Sequence, residues 1–354
     1  MVGLDFFKEE FFNKKVFITG HTGFKGSWLT YLLDSMGAIT QGYALEPNTS
    51  PSLYKKLSFT NQHSSKIADI RDIDTFEKEI VCFQPDYIFH LAAQPLVLES
   101  YENPLETFQT NFNGTLNLLE ILRKHKIRCT TICITTDKVY ENNELNLAFN
   151  ENDKLGGNDP YSASKASCEI LIHSYAVSFF KNTKTRVASV RAGNVVGGGD
   201  WSENRLIPDI IRSVYENSPL EIRNPKATRP WQHVLEPLSG YLMLAKALNN
   251  DIYFSEAFNF GPEEREVKSV EEILSVAKQI GINLKVKRLK VNENNETQFL
   301  KLDIQKAKRR LGWAPKWNNL STFQKTFQWY LDFYDGKPIE KLMGRDINSY
   351  LEEK

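Results

Sequence analysis

The chain has no excess of charge: 44 Lys and Arg face 44 Asp and Glu in 354 residues, a formal net charge of zero. That balance argues against a dedicated nucleic-acid binder, which needs a field of one sign. Long hydrophobic runs are also missing, so no segment reads as a bilayer-spanning helix. Residues 1–15 mix Phe with Glu and Lys and carry no signal-peptide h-region. Cysteine is scarce, and Cys82, Cys129, Cys133 and Cys168 show no metal-ligand spacing. Cys129 and Cys133 share one apolar segment and read as buried thiols. The expectation is a cytoplasmic protein with no metal, no membrane and no nucleic-acid partner.

What is present is an alternation. Segments 15–19, 38–45, 66–70, 86–93, 130–136 and 186–192 read as strands, and 24–36, 105–124 and 161–180 carry helical periodicity. Asp74 and Glu77 resemble a capping box for a helix running to Phe83. Strands alternating with helices imply an α/β fold with a doubly wound parallel, Rossmann-type sheet. After residue 193 the rhythm changes, through Gly197-Gly198-Gly199 and a Pro/Arg-rich stretch at 222–231. Helical stretches follow at 236–248, 268–280 and 320–334. The expected division is a dinucleotide-binding domain over 1–193, to which about 230–260 returns, and a smaller, discontinuous α/β substrate-binding domain over 194–354.

Gly20-His21-Thr22-Gly23-Phe24-Lys25-Gly26 lies between the first strand and the first helix of the alternation. Glycines at that spacing allow a tight turn and let backbone N–H groups approach a pyrophosphate at a helix N-terminus. His21 and Lys25 place polar groups where such loops usually hold small or apolar ones, either to touch phosphate or to face solvent. Tyr43, Ala44 and Leu45 stand at the end of the second strand, with Glu46 one step on, so no acid is placed for an adenosine ribose. No arginine replaces it, which favours NAD over NADP. Asp69 is either a partner for the adenine amino group or a turn aspartate.

Tyr161 and Lys165 are four apart on a helix and so share a face. The ammonium lowers the phenol's pKa, and a phenolate can take a proton from a hydroxyl while hydride leaves the same carbon. Thr136, Asp137 and Lys138 follow the fifth strand, beside that pair. A protonated Asp137 can donate to a departing hydroxyl, and a neutral Lys138 can remove a proton alpha to a ketone. A surface Asp-Lys pair in a loop is the plainer alternative.

These motifs resemble the extended short-chain dehydrogenase/reductase superfamily and, within it, the nucleotide-sugar 4,6-dehydratases, closest to their CDP-glucose branch. The resemblance runs from Val16 to about Trp317 and is carried by the glycine loop, by Ala92-Ala-Gln-Pro-Leu-Val97, by Thr136-Asp-Lys138, by Arg191-Ala-Gly-Asn-Val-Val-Gly-Gly-Gly-Asp-Trp201 and by the stretch from Arg229 to Gly240. Lysine after the aspartate separates this branch from the dTDP-glucose enzymes, which carry glutamate there. The resemblance implies a lyase that oxidises a hexose at C4, eliminates water across C5 and C6, and reduces C6 with the same NAD. Tyr161 would take the C4 hydroxyl proton, Thr136 would bond the C4 oxygen, Lys138 would take the C5 proton and Asp137 would protonate the leaving hydroxyl. Lys165 would hold the nicotinamide ribose.

The resemblance also implies that Asp69, Ile70, Leu91, Ala92 and Ala93 line the cofactor. Gln94 could reach the hexose. A diphosphate-linked sugar needs cations and amides, and Asn194, Arg205, Arg223, Arg229 and His233 are the candidates. Trp201 and Trp231 read as packing residues. A homodimer through helices 105–124 and 161–180 is expected, in deoxysugar synthesis of the lipopolysaccharide O-antigen type. The competing readings are a nucleotide-sugar epimerase or reductase on the same fold, and a non-catalytic dinucleotide sensor.

Overall fold

Seven parallel strands form the centre of the protein, seen here in a computed structural model that describes residues 4–142, 147–222, 224–266, 268–288 and 300–352. In chain order they are Lys15–Thr19, Ile39–Ala44, His63–Ile67, Tyr87–His90, Thr130–Ile134, Arg186–Ala192 and Ala257–Phe260. In space the order is seventh, sixth, fifth, fourth, first, second, third. The chain winds outward from the first strand to the third, then returns to the other side of the first, where Thr19 pairs with Tyr43 and with His90. Loops leaving the first and fourth strands therefore diverge and open a crevice, the usual ligand position in such a sheet.

Alternation within each strand explains the two-faced core. Val16 and Ile18 join one buried cluster and Phe17 the other; Tyr87 and Phe89 face away from Ile88, and Ile132 and Ile134 face away from Cys133. With both faces covered, the inner strands read as apolar runs. Each buried Phe or Ile contributes roughly 1.5–3 kcal/mol of transfer free energy. Cys129 and Cys133 are buried thiols, and burial pushes the Cys129 thiol up to about 12.

Several local expectations shift. The third strand is His63–Ile67 rather than 66–70, because this edge strand is polar and solvent-facing and gives no hydrophobic signal. Ile70 lies beyond it and packs against Gly114, where a Cβ would come within 2.2 Å of the Ile70 side chain. The helix Ile73–Phe83 is capped by Asp72, whose side chain accepts from Thr75 N, and not by Asp74 with Glu77. Glu77 instead accepts from Lys124 at 2.8 Å and His125 at 2.6 Å. The segment expected as one helix over 105–124 is Pro104–Phe108, a widened turn at Gln109–Asn113 and the helix Gly114–His125. The helix from Pro160 likewise ends at Tyr175 and widens over Ala176–Phe180.

Beyond Ala192 the chain leaves the sheet through the helix Leu206–Tyr215 and returns as the helix Leu235–Asn250, which packs on the fifth and sixth strands. The strand Ala257–Phe260 then pairs with the sixth, Phe260 opposite Ala192. Helices Asn319–Tyr334 and Ile339–Glu352 close the chain. No helix among the described residues is long and apolar enough to cross a membrane.

Candidate active site

The glycine loop forms a cradle at the crevice. Gly20 has φ +72, and a Cβ on it would stand 2.7 Å from Ala92 N; a Cβ on Gly26 would stand 2.0 Å from Gly20 O. Thr19 fixes the facing loop, accepting from Ala92 N at 3.1 Å and bonding His90 Nδ1 at 2.8 Å, while Leu91 N donates to Thr19 O. Leu91 and Ala92 thus stand opposite Gly20. Gly23 is the N-cap of the helix Phe24–Ser35, which has no side-chain cap and no acid in its first turn. A helix N-terminus left in this state fits a pyrophosphate. Thr22 bonds Leu45 O at 2.9 Å, and Phe24 packs partly buried against the core.

His21 neither faces solvent nor offers a cation to phosphate. It is buried, bonds Ser65 Oγ at 2.7 Å, stands edge-on to Tyr54 and occupies the space over Gly42. Burial and the neighbouring His63 push its pKa down to about 3, so it is neutral. Lys25 turns inward instead of to solvent. Burial, then the charges of Arg205 and Lys165, lower it to about 8, with Asp137 opposing. Asp69 is a turn aspartate: Arg71 N donates to Oδ1 at 2.8 Å and the Arg71 guanidinium to Oδ2 at 2.6 Å. Burial opposes its ionisation, but those bonds hold it below the usual carboxylate range. At the end of the second strand Glu46 pairs with Lys55 at 3.0 Å.

The residues after the fifth strand meet the helix Pro160–Tyr175. Lys165 Nζ donates to Ile134 O at 3.1 Å, and Thr136 Oγ1 donates to Asp137 Oδ1 at 3.1 Å. Tyr161, Lys165, Thr136 and Asp137 are buried, while Lys138 is half-buried. Burial pushes Tyr161 up to about 12, against a hydrogen bond with Thr136 and the charge of Arg205. Burial lowers Lys165. Asp137 Oδ2 is buried without a hydrogen-bond partner among the described residues. Burial raises Asp137 above the usual carboxylate range, although Lys138, Thr136, Arg229 and Lys25 oppose it. A carboxyl whose ionisation burial opposes, beside a phenol, is suited to proton donation.

Sequence reasoning missed Asn111. Its side chain donates to Ser164 Oγ at 2.9 Å and to Gln94 O at 3.1 Å, tying the loop after the fourth strand to the helix of Tyr161. A buried Asn inside an apolar helical pattern, just before Gly114, was the available signal.

The expected substrate residues separate into two groups. Arg205 donates to Asp200 Oδ2 at 2.9 Å, and its charge reaches Tyr161. Arg229 donates to Thr228 O at 2.8 Å, and its charge reaches Asp137. Asn194 is half-buried, and its carbonyl accepts from Gln232 N. Arg205 and Arg229 stand with Lys25 and Lys138 around Asp137 and Tyr161. His233 does not act as a cation: it is fully buried between Trp28 and Trp317, and burial pushes it down to about 3. Gln94 is engaged by its own loop, accepting from Leu96 N and donating to Leu96 O and Thr107 Oγ1, which leaves no amide hydrogen for a hexose. Arg223 lies outside the described residues. Trp201 packs on Trp329 and Phe333, and Trp231 on Phe323. Among the described residues no group of three or more His, Cys, Asp or Glu could hold a metal.

Residues 17–326 match the profile of the GDP-mannose 4,6 dehydratase family. The CDP-glucose 4,6-dehydratase of Salmonella typhimurium is 44% identical over 345 residues, covering 96% of this chain and 96% of that protein. The CDP-paratose 2-epimerase of Salmonella typhi is 29% identical, over 89% of this chain and 98% of that one. The dTDP-glucose 4,6-dehydratase of Bacillus anthracis, solved in complex with NAD, superposes with a TM-score of 0.77 at 21% identity, covering 93% of this chain and 99% of that one.

Proposed function

The chain belongs to the GDP-mannose 4,6 dehydratase family, and from that premise we propose that it converts CDP-D-glucose to CDP-4-dehydro-6-deoxy-D-glucose and water. The observation that carries this reading is Asp137: a buried carboxyl held above its ordinary range, with an unpaired oxygen, between Thr136 and Lys138 and in the same crevice as Tyr161. An oxidoreductase alone has no use for it; loss of water does.

When bound in the glycine cradle, NAD supplies the two-electron acceptor at C4 and the two-electron donor at C6, and ends the cycle unchanged. Tyr161 takes the C4 hydroxyl proton, with Arg205 stabilising the phenolate, Thr136 bonding the C4 oxygen and Lys165 placed to hold the nicotinamide ribose. The resulting ketone acidifies C5–H. Lys138 removes that proton, and Asp137 protonates the C6 hydroxyl, which departs as water. A proton returns to C5 as C6 is reduced. Gly20, Gly23, Gly26 and the Leu91–Ala93 backbone hold the cofactor, while Arg205, Arg229 and Asn194 face the substrate diphosphate.

Exposed apolar side chains around the site support a homodimer: Tyr101 on the helix Val97–Glu102, Leu105 on Pro104–Phe108, Ile170 on Pro160–Tyr175, and Val177 and Phe179 on the widened turn that follows it. Burying such a patch is favourable. The same reading places the product in deoxysugar synthesis of the lipopolysaccharide type, in the cytoplasm.

The test is a turnover panel with CDP-, dTDP- and GDP-hexoses. The CDP-glucose product should develop the alkaline ultraviolet absorbance of a 4-keto sugar and a C6 methyl signal by NMR. An epimerised sugar with its C6 hydroxyl intact overturns the reading.

A further inference from the structure

The segment that carries Thr136, Asp137 and Lys138 is a single short turn, Asp137–Val139, with no helix of its own to hold it. It is held from both ends by one buried ion pair. Glu169 and Arg191 meet at 2.7 Å with side chains 2% and 4% exposed. On the upstream flank, Thr135 Oγ1 donates to Glu169 Oε1, and Ser189 Oγ to Glu169 Oε2 at 2.7 Å. On the downstream flank, Arg191 donates to the Tyr140 hydroxyl at 2.8 Å, and that hydroxyl donates to Asn259 Oδ1 at 2.7 Å. Asn259 in turn takes its neighbours from far along the chain, donating to Phe149 O and Asp303 O and, through its backbone, to Glu151 Oε1. Tyr140 also stacks on Phe149, centroids 4.9 Å apart at 6°.

Glu169 lies one helical turn beyond Lys165, on the helix that carries Tyr161. One ion pair therefore connects the two halves of the site. The half that performs oxidation has further anchors, Lys165 Nζ to Ile134 O just upstream of Thr135 and Asn111 to Ser164 Oγ, while Val139 O of the turn also accepts from Gly156 N. A buried pair of this kind gives little stability over an apolar replacement, and a role in setting geometry is the better account of it.

We infer that Thr135 and Tyr140 are positioning residues: through the Glu169–Arg191 pair they set Asp137 and Lys138 against the C5 and C6 positions of the sugar, and so govern elimination of water separately from oxidation at C4. This rests on the dehydratase reading.

Tyr140→Phe and Thr135→Val test it, with Tyr87→Phe as a control that removes a buried hydroxyl bonded to Glu10, far from the site. In single turnovers with CDP-glucose, C4 oxidation should stay within about twofold of wild type, while water loss slows about tenfold or more. Reduced cofactor then accumulates at 340 nm. Amide exchange should rise over 136–140 in both variants with no change over 161–165. The Tyr87 variant should show neither effect. If both steps slow equally, or if exchange rises across both segments alike, the residues are merely structural and the inference falls. If wild type forms no 4-keto-6-deoxy product, the dehydratase reading falls, and the inference with it.

Discussion

Asp137 Oδ2 rests against Gly193: a Cβ on that glycine would stand 2.9 Å from the carboxyl oxygen, and 2.7 Å from Pro230 Cγ. The acid is thus seated on the end of the sixth strand, in a space that exists because residue 193 has no side chain.

Gly193→Ala should displace the carboxyl rather than unfold the protein. Overpacking of this size costs about 1–3 kcal/mol. Turnover should fall by roughly a hundredfold, as a misplacement near 1 Å would cause. Urea denaturation and product formation, measured on the same preparation, check both values; wild-type turnover would contradict the seating of Asp137.

Tyr161→Phe removes the proton acceptor and keeps the ring. Turnover should drop by about 10²–10⁴, while calorimetric titration still detects cofactor binding, because the glycine cradle is untouched. Retained turnover would count against Tyr161 as the base.

Asp137→Asn preserves shape and removes the transferable proton. Oxidation should continue and water loss should fall by about 10²–10⁴, so substrate addition produces lasting absorbance of the reduced cofactor. Loss of oxidation as well would assign Asp137 a different part.

Glu236 makes stability depend on pH. It is fully buried, accepts from Trp317 N at 2.7 Å and from Tyr350, and burial raises it to about 7 from 4.5. The folded state then holds a proton that the unfolded state has released, so this group's contribution falls as pH rises from about 4.5 to about 7. The effect is on the order of 3 kcal/mol. Urea midpoints for Glu236→Gln should decline less across that window than those of wild type; parallel curves would rule the group out.

Leu105 is 70% exposed in the apolar patch proposed to pair. Leu105→Glu should shift the protein towards monomer in sedimentation velocity. An unchanged assembly would place the interface elsewhere.

Much of the site is legible locally. Gly20, Gly23 and Gly26 show as a cradle because their spacing matches one turn, and Tyr161 and Lys165 share a face because they are four apart on a helix. The roles of His21, Gln94 and His233 were not legible. Each is a polar residue in a matched segment, yet each is engaged by neighbours that the chain brings from elsewhere: Ser65 and Tyr54 for His21, Thr107 for Gln94, Trp28 and Trp317 for His233. For Lys25 the sequence left two alternatives, and the inward one follows only from burial beside the charges of Arg205 and Lys165, which lie far along the chain. The third strand slipped because an exposed edge strand needs no apolar pattern to pair.

Sequence alone determined the parallel sheet and the residue types and spacing of Tyr161, Lys165, Asp137 and Lys138 on which the proposed chemistry rests, because period, spacing and side-chain type are properties of short stretches. Tertiary structure decided which groups burial shifts and how they are held. The raised Asp137, the lowered Lys25 and the pair of Glu169 with Arg191 all depend on burial among residues distant in the chain. Desolvation and orientation arise only when those distant segments close over one crevice.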